Sequence, residues 1–487
     1  MKKVVQVVLI GGMIFLFSEF RPADKKWEKP FSKLDREIRK NSQAYATLGE
    51  ATKTIGHRLT GSANGERAEE YAFKLLKGYG FTDVVYQPFE VEAWMRDTVT
   101  LSIAPGSSDN FRDVPVVSLA HSPVESNLQG EIVDVGNGLE EDFQAMKEKV
   151  KGKIAMANIN LVGVTGKKNL HRSEKTALAI KYGARGVIMV NGAPGKILLT
   201  GTASVTGAII SIPAVCISNE SGQEIRKWIK DEGPLEAHID MHNISKPIRA
   251  RNVIATLKGK SDEKVIIGGH LDSWDLATGA IDNGIGSFAV LDIARAFKAL
   301  KVKPERTIQF VLFMGEEQGL LGSKHFVSEL KKTGAIDKIS YMMNLDMTND
   351  PRGANAFGRD EMNGFFTTVG QAIHNIDREY KNESTNRAGL HSDHQPFMLE
   401  GVPIAGLSGH LDPNVLQCYH ADCDDFSLVN KDQLENTVRI ASMYLYALSN
   451  AENISVKKLS DQKTRDFLIS QGLKEELIIG QEWRWEQ

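Results

Sequence analysis

The sequence lacks several features that would assign the protein to a common class. It has no excess of charge, because 59 lysines and arginines stand against 62 aspartates and glutamates and leave a formal net charge of -3. A basic surface is therefore not expected, and nucleic acid is not an expected partner. No repeat period or low-complexity tract is visible, which argues against a solenoid. The 487 residues are enough for two or three packed domains.

Cysteine is scarce in this chain, which has only Cys216, Cys418 and Cys423. An odd number cannot all pair within one chain, so the sequence is not that of a disulfide scaffold. Cys418 and Cys423 are close enough in sequence for a local bridge around His420, which an oxidising compartment would permit. Three unpaired buried thiols are the alternative, and the sequence leaves both readings open.

Long hydrophobic runs are also few. One stands at the start, where Met-Lys-Lys is followed by apolar residues 4–17 and then by a polar segment. This order predicts a secretory signal peptide at 1–22 and an exported, periplasmic or secreted protein. The run is shorter than the roughly 20 apolar residues of a spanning helix, although an uncleaved anchor is the alternative. No other run is apolar enough to cross a membrane, so no stable membrane insertion is expected after cleavage.

Beyond residue 22 the pattern of the chain changes twice. Residues 23–115 combine a helical pattern with short alternating runs, and residues 116–245 contain β-rich runs separated by glycines, which predict a compact module. From 246 to 455 apolar strands alternate with amphipathic helices. This alternation predicts an α/β fold with a mostly parallel central sheet covered by helices on both faces. The polar tail at 456–487 is predicted to be a C-terminal extension.

Metal-binding side chains stand where the predicted strands end. The run KVIIGG ends at His270, and Asp282 precedes the next helix. The next two strands end at Glu316-Glu317 and at Asp346. Ligands of such sheets bind beyond the carboxyl ends of the strands, so these groups are expected at one edge. Carboxylates gathered there would repel each other and be costly to bury, and a pair of divalent cations removes that cost.

Zinc is the expected cation, because histidine nitrogens and carboxylate oxygens are its ligands. Two zinc ions about 3.5–4 Å apart can share one carboxylate and one bridging water or hydroxide. One ion is expected to take His270 and Asp346, and the other Glu317 and His420. Asp282 is expected to join them.

Two further acidic residues have predicted catalytic roles. Glu316 is expected to take a proton from the bridging water and to pass it to the leaving amine. Asp272 is expected to hold the second ring nitrogen of His270, or to stiffen the loop that carries it.

Spacing alone does not single out His420, because His391, His394 and His410 lie nearby. Ser392-Asp393 is interpreted as a cap for the helix that follows.

Taken together, the motifs resemble a known family. HLDSWDLATGAIDNG, GEEQGLLGS, NLDM and YHADCDD, with GHRLTGS upstream and HSDHQPF downstream, resemble the co-catalytic dizinc exopeptidases, which include zinc aminopeptidases and glutamate carboxypeptidases. GGHLDSWD is closest to the plasma-type glutamate carboxypeptidases. GARGVIMVN and IPAVCIS resemble the protease-associated (PA) domain. The resemblance covers most of residues 30–450.

The resemblance implies an exported zinc exopeptidase whose peptidase domain, formed by 23–115 and 246–455, carries an inserted PA domain at 116–245. It implies hydrolysis of terminal peptide bonds of short peptides through a metal-bridging hydroxide, with the same seven site residues in the same roles. Ser392-Asp393-His394 is more similar to the aminopeptidase branch, so the substrate end that is recognised stays open. The alternatives are an amidohydrolase of N-acyl amino acids and a non-catalytic, receptor-like relative. The insertion is expected to shape or cover the cleft, or to help a homodimer form.

Overall fold

The computed structural model describes residues 23–106, 108, 110–454 and 456–486. The predicted signal peptide at 1–22 lies outside the described residues. Within the described part of the chain, no helix combines the length and the apolar character that crossing a membrane requires.

The strands are β1 (Val84–Pro105), β2 (Arg112–Asp113), β3 (Val117–Ser118), β4 (Glu125–Asp134), β5 (Ile154–Asn158), β6 (Gly186–Val190), β7 (Ala214–Ile217), β8 (Leu235–Leu257), β9 (Ser261–His270), β10 (Arg306–Phe313), β11 (Ile339–Asn344), β12 (Gly353–Asn355) and β13 (Ile404–Ser408). The α-helices are α1 (Ala23–Asn41), α2 (Ala44–Thr54), α3 (Ala63–Gly78), α4 (Glu140–Val150), α5 (Arg172–Lys181), α6 (Asn219–Glu232), α7 (Ile285–Ala299), α8 (Leu321–Lys332), α9 (Asn363–Ile376), α10 (His394–Leu399), α11 (Pro413–Leu416), α12 (Lys431–Asn450), α13 (Asp461–Ser470) and α14 (Lys474–Ile479).

The central part of the sheet has the strand order β12-β13-β11-β9-β10-β8. Strands β13, β11, β9 and β10 are parallel, while β12 and β8 run antiparallel to their neighbours. Val265 and Ile267 pack into the apolar cluster on one face, and Ile266 packs into the cluster on the other. Successive strand side chains point to opposite faces, so a strand covered on both faces is apolar throughout. The predicted α/β fold with helices on both faces is confirmed.

A second set of strands continues the same sheet through β4-β5-β6-β7-β3. Its inner strands β5 and β6 are parallel, and apolar clusters cover both of its faces. The connection is β8, which pairs with β4 through 236–242 and with β10 through 253–257. The predicted boundary between residues 245 and 246 falls inside this strand, and the domain boundaries stay predictions.

The C-terminal extension is helical and packed. Leu468 of α13, Leu477 of α14 and Leu473 between the two helices are buried in the apolar cluster that covers one face of the central sheet. This packing places α14 beside the insertion helix α5, above the edge of the sheet where the strands end.

Candidate metal centre

Three neighbouring parallel strands deliver the predicted ligands to one edge of the sheet. His270 is the last residue of β9, Glu317 follows β10, and Asp346 follows β11. Asp282 stands in the turn before α7, and its peptide bond to Asn283 is cis. Because the three strands are parallel and adjacent, their carboxyl ends coincide in space, as the sequence pattern predicts.

The first group is the His270 site, formed by His270, Asp282 and Asp346. Nε2 of His270 lies 3.2 Å from Oδ1 of Asp282 and 3.4 Å from Oδ1 of Asp346. The second oxygen of Asp346 accepts a hydrogen bond of 2.6 Å from the hydroxyl of Ser392. The prediction that Ser392-Asp393 caps the next helix is wrong, because Asp393 at the cap position makes no capping hydrogen bond and Ser392 orients Asp346 instead.

The second group is the His420 site, formed by Asp282, Glu317 and His420. Nε2 of His420 lies 2.9 Å from Oδ2 of Asp282 and 3.0 Å from Oε2 of Glu317. The two oxygens of Asp282 therefore face different histidines. That arrangement is the one a carboxylate needs to bridge two cations.

The donor atoms fit zinc. Each site offers one imidazole nitrogen and two carboxylates, which are zinc ligands. Oε1 of Glu317 is buried and has no hydrogen-bond partner among the described residues. A buried, unpaired carboxylate oxygen is costly, and a cation at the His420 site would satisfy it.

The electrostatics of the centre favour positive charge. Burial raises the pKa of both Glu316 and Glu317. Burial alone would also raise the pKa of Asp282, but hydrogen bonds from His270 and His420 outweigh it and lower that pKa. Burial opposes charge on His270, yet the carboxylates around it raise the pKa of its ring well above the usual value. Protons on the histidines or bound metal ions can supply the missing charge.

Glu316 faces the cleft beside the His270 site. Its Oε2 lies 3.9 Å from Nε2 of His270, and its backbone N–H donates to Oδ1 of Asp272 at 3.3 Å. The carboxylate oxygens of Glu316 and Glu317 approach different histidines. Glu317 is thus available to bind a metal ion at the His420 site, and Glu316 is available for proton transfer beside the His270 site.

Asp272 holds the loop more than it holds the histidine ring. Nδ1 of His270 lies 3.1 Å from the backbone carbonyl oxygen of Asp272 but 3.7 Å from the carboxylate. The carboxylate instead accepts the hydroxyl of Thr60 at 3.0 Å and the N–H of Glu316. Of the two predicted roles, the contacts favour stiffening of the loop.

Two further residues support the loop that carries Asp282. The buried guanidinium of Arg58, within the GHRLTGS motif, donates to the carbonyl oxygens of Leu271, Thr278 and Gly279 and so fixes the loop before Asp282. Asp424 accepts hydrogen bonds from the backbone N–H groups of residues 281 and 282, at 2.7 and 3.0 Å. The motif was visible in the sequence, but the carbonyls that Arg58 contacts are determined only by the fold.

The loop that carries His420 is held from outside the central sheet. A disulfide joins Cys418 and Cys423 on either side of it, which answers the question that the sequence left open. The backbone N–H of Thr200, in the insertion, donates to the carbonyl oxygen of His420 at 2.9 Å. The guanidinium of Arg172, also in the insertion, lies 2.9 Å from Nδ1 of His420.

The three competing histidines lie elsewhere. Nε2 of His394 lies 3.0 Å from the carbonyl oxygen of Gly389, His410 is exposed, and His391 faces Glu174. Of the four histidines, His420 is the one whose ring reaches Asp282 and Glu317.

A cleft of about 420 Å³ opens beside both sites. The insertion contributes Arg172 and Glu174 to its wall, the central sheet contributes Glu316, and the C-terminal extension contributes Glu476. A small ligand bound there would contact all three parts of the chain.

Two segments of the sequence match models of known protein families. Residues 252–445 match the model of Peptidase family M28, and residues 116–225 match that of the PA domain. Carboxypeptidase Q of Mus musculus is 24% identical over 421 residues, which cover 85% of this chain and 87% of that protein. The first match includes the whole candidate metal centre, and the second includes Arg172 and Thr200.

Two solved structures have the same fold. A peptidase M28 precursor from Shewanella amazonensis SB2B superposes with a TM-score of 0.75 at 26% identity, covering 90% of this chain and 99% of that one. A zinc aminopeptidase from Bacillus subtilis superposes with a TM-score of 0.63 at 23% identity, covering 86% and 97%. The likeness extends over the insertion as well as the central sheet.

Proposed function

Because residues 252–445 match the model of Peptidase family M28 and residues 116–225 match that of the PA domain, we propose that this chain is an exported zinc exopeptidase that hydrolyses terminal peptide bonds of short peptides. One observation carries the proposal: the two oxygens of Asp282 face His270 and His420 separately, at 3.2 and 2.9 Å. The residues that would hold the ions are His270, Asp282, Glu317, Asp346 and His420. A pair of zinc ions, when bound, supplies Lewis acidity to the scissile carbonyl and lowers the pKa of a water nucleophile.

The chain itself supplies proton transfer. Glu316 presents its carboxylate to the cleft beside the His270 site, and its backbone is tied to Asp272. From there it can take a proton from the attacking water and give it to the departing amine nitrogen, as general bases of hydrolases do. Asp272 and Arg58 hold the surrounding loops, so that the carboxylate stays aimed at the cleft.

The substrate end that the cleft recognises is indicated by Arg172. This residue is 4% exposed and has no carboxylate within ion-pair distance among the described residues. Its Nε has no hydrogen-bond partner. Its guanidinium lies against Gly201, where an added Cβ would approach within 2.0 Å of it. A buried arginine without an anion is costly, so the cleft is suited to a ligand that carries a carboxylate.

The contact between Arg172 and His420 does not replace that anion. A guanidinium only donates hydrogen bonds, so Nδ1 of His420 has to accept in this contact. When Nε2 binds a metal ion, a neutral imidazole carries its proton on Nδ1 and cannot accept there. Arg172 is then available to bind the free carboxylate of a dipeptide or short peptide. This favours carboxypeptidase or dipeptidase specificity.

A second candidate follows from the same observation. N-acyl amino acids also carry a free carboxylate, so an amidohydrolase could use Arg172 in the same way. Hydrolysis of dipeptides but not of N-acetyl amino acids supports the peptidase, and the reverse preference supports the amidohydrolase. The complete set of ligands and proton-transfer groups argues against the receptor-like alternative.

The test of the metal requirement is a profile of a dipeptide library with and without chelator, together with the zinc content of the purified protein. We expect at least two zinc ions per chain and loss of all turnover on chelation, with recovery on adding zinc. Turnover that persists after complete zinc removal contradicts the proposal.

The test of Arg172 compares a dipeptide with its C-terminal amide. Arg172→Met should raise KM for the free carboxylate by about 10- to 100-fold, from the ~1.5–3 kcal/mol of a hydrogen bond to a charged group, and leave KM for the amide nearly unchanged. Arg185→Met, an exposed arginine of the insertion, is the control. Equal losses on both substrates would indicate that Arg172 only supports His420.

A further inference from the structure

A third set of metal-binding side chains lies in the same cleft, outside the centre described above. We call it the His391 cluster; its members are Glu174, His391 and Glu476. One ligand atom from each lies within 4.8 Å of the other two. Glu174 belongs to helix α5 of the insertion, His391 to the loop before α10, and Glu476 to α14 of the C-terminal extension. The cluster therefore joins three parts of the chain.

The separations of its ligand atoms suit a small divalent cation. Nε2 of His391 lies 3.6 Å from Oε1 of Glu174 and 4.0 Å from Oε2 of Glu476. Zinc holds nitrogen and carboxylate ligands at about 2.0–2.2 Å, and tetrahedral angles then separate the ligand atoms by roughly 3.3–3.6 Å. The first distance is at this value and the second slightly beyond it. A small movement of the Glu476 side chain would complete the geometry.

Glu174 offers one carboxylate oxygen to the cluster. Its side chain is 2% exposed, and its Oε2 accepts a hydrogen bond of 2.7 Å from the backbone N–H of His171. Its Oε1 accepts none within the described part of the chain, because the ring of His391 at 3.6 Å is too distant for one. Although the side chain as a whole is buried, this oxygen reaches the surface of the cleft, where it can contact a cation.

Positively charged side chains also lie near the cluster, and one of them contacts Glu476. Lys168 contacts Oε1 of Glu476, which leaves Oε2 facing His391. Burial and the nearby charges of Arg172, Lys168 and Lys324 lower the pKa of His391 to about 4, so its ring is neutral at pH 7 and keeps a lone pair for a cation. The ring of His171 stacks on that of His391 with their centroids 4.8 Å apart and so restricts its orientation.

We propose that the His391 cluster binds a third divalent cation, which links the insertion, the loop before α10 and the C-terminal extension across the cleft. One imidazole and two carboxylates suit zinc or manganese, whereas calcium and magnesium prefer all-oxygen sites. The site shares no ligand with the catalytic pair and does not depend on the proposed reaction.

The experiment measures zinc bound by the whole chain after chelator stripping and reloading with Zn²⁺ alone. His391→Ala and Glu174→Gln should each reduce the zinc count by one per chain and weaken the corresponding step of a calorimetric titration by at least about 100-fold, since a direct ligand should matter more than the 10–100-fold of outer partners. Glu475→Gln is the matched control, because Glu475 is an exposed neighbour on the same helix and should change neither measurement. His391→Asn, which retains a polar side chain, repeats the test if the alanine variant is poorly folded.

Two results would overturn the proposal. One is an unchanged zinc count and titration in both His391→Ala and Glu174→Gln. The other is a raised KM for peptides at an unchanged zinc count, which would identify the occupant as a substrate ammonium group. If the catalytic pair did not bind zinc, the zinc count of the unmodified protein would be lower. The variants would still bind one ion fewer than the unmodified protein. The two proposals therefore fail in distinguishable ways.

Discussion

The two candidate sites for the catalytic ions are supported in different ways. At the His270 site, His270 and Asp346 stand at or just after the ends of adjacent sheet strands, and the partners of their side chains belong to the same domain. At the His420 site, one ligand comes from a loop between α11 and α12 that is closed by a disulfide and held by the insertion. The contacts described for the first site involve no residue of the insertion, while the second also requires the insertion to be docked. Changes outside the sheet should therefore affect the two ions unequally.

The largest effect is expected from a substitution at the ligand that the two sites share. Asp282→Asn takes a ligand from both sites, so both ions should bind more than about 100-fold more weakly, beyond the 10–100-fold cost of losing an outer partner. Turnover should fall with them. Zinc titration and kcat/KM are the measurements, with Asp262→Asn, an exposed aspartate, as the control. Retention of either catalytic ion at full affinity, measured in a background in which His391→Ala removes the third ion, would show that Asp282 does not bridge.

The neighbours Glu316 and Glu317 should separate chemistry from binding. Glu316→Gln should retain both catalytic ions and lose about 10²–10⁴-fold in kcat, the usual contribution of a general acid or base. Glu317→Gln should lose the ion of the His420 site and retain that of the His270 site. Metal analysis beside single-turnover kinetics distinguishes these outcomes. Full activity of Glu316→Gln would mean that the general base is misassigned.

Opening the disulfide should weaken the His420 site more than the His270 site. Replacing both Cys418 and Cys423 by serine frees the loop, and we expect a loss of about 10- to 100-fold in affinity for one ion, similar to the loss of an outer partner. The His270 site should be weakened less, because the disulfide reaches it only through Asp424, which neighbours Cys423 and holds the backbone of Asp282. The buried thiol of Cys216 is unpaired, so Cys216→Ala is the control. Equal weakening of both ions would contradict the proposed difference in support.

The smallest expected effect is at the His270 site. Ser392→Ala removes the 2.6 Å hydrogen bond to Asp346 and should weaken only the His270 site, by about 10-fold. Ser384→Ala, an exposed serine, should change neither site. A calorimetric titration of each variant is the measurement. If the binding step weakened in Ser392→Ala is the step that the cysteine variant retains, the two ions are identified separately.

Much of the sheet and of the His270 site could be predicted because local sequence determines them. Runs such as KVIIGG are apolar at every position, as strands buried on both faces must be, and the polar residues that follow mark the strand ends. The role of Ser392 could not be predicted, because a serine before a helix is usually a cap, and only the packing of α10 against β11 brings it to Asp346.

The sequence by itself determined which chemical groups are available and at which edge of the sheet they collect, because strand periodicity and chain direction are local properties. Only the tertiary structure decided which histidine completes the second site, why Arg172 lies beside it, and how His391 meets two glutamates distant in sequence. Those contacts depend on how the insertion and the C-terminal extension pack against the sheet, and such packing arises from many weak, long-range interactions that no short segment encodes.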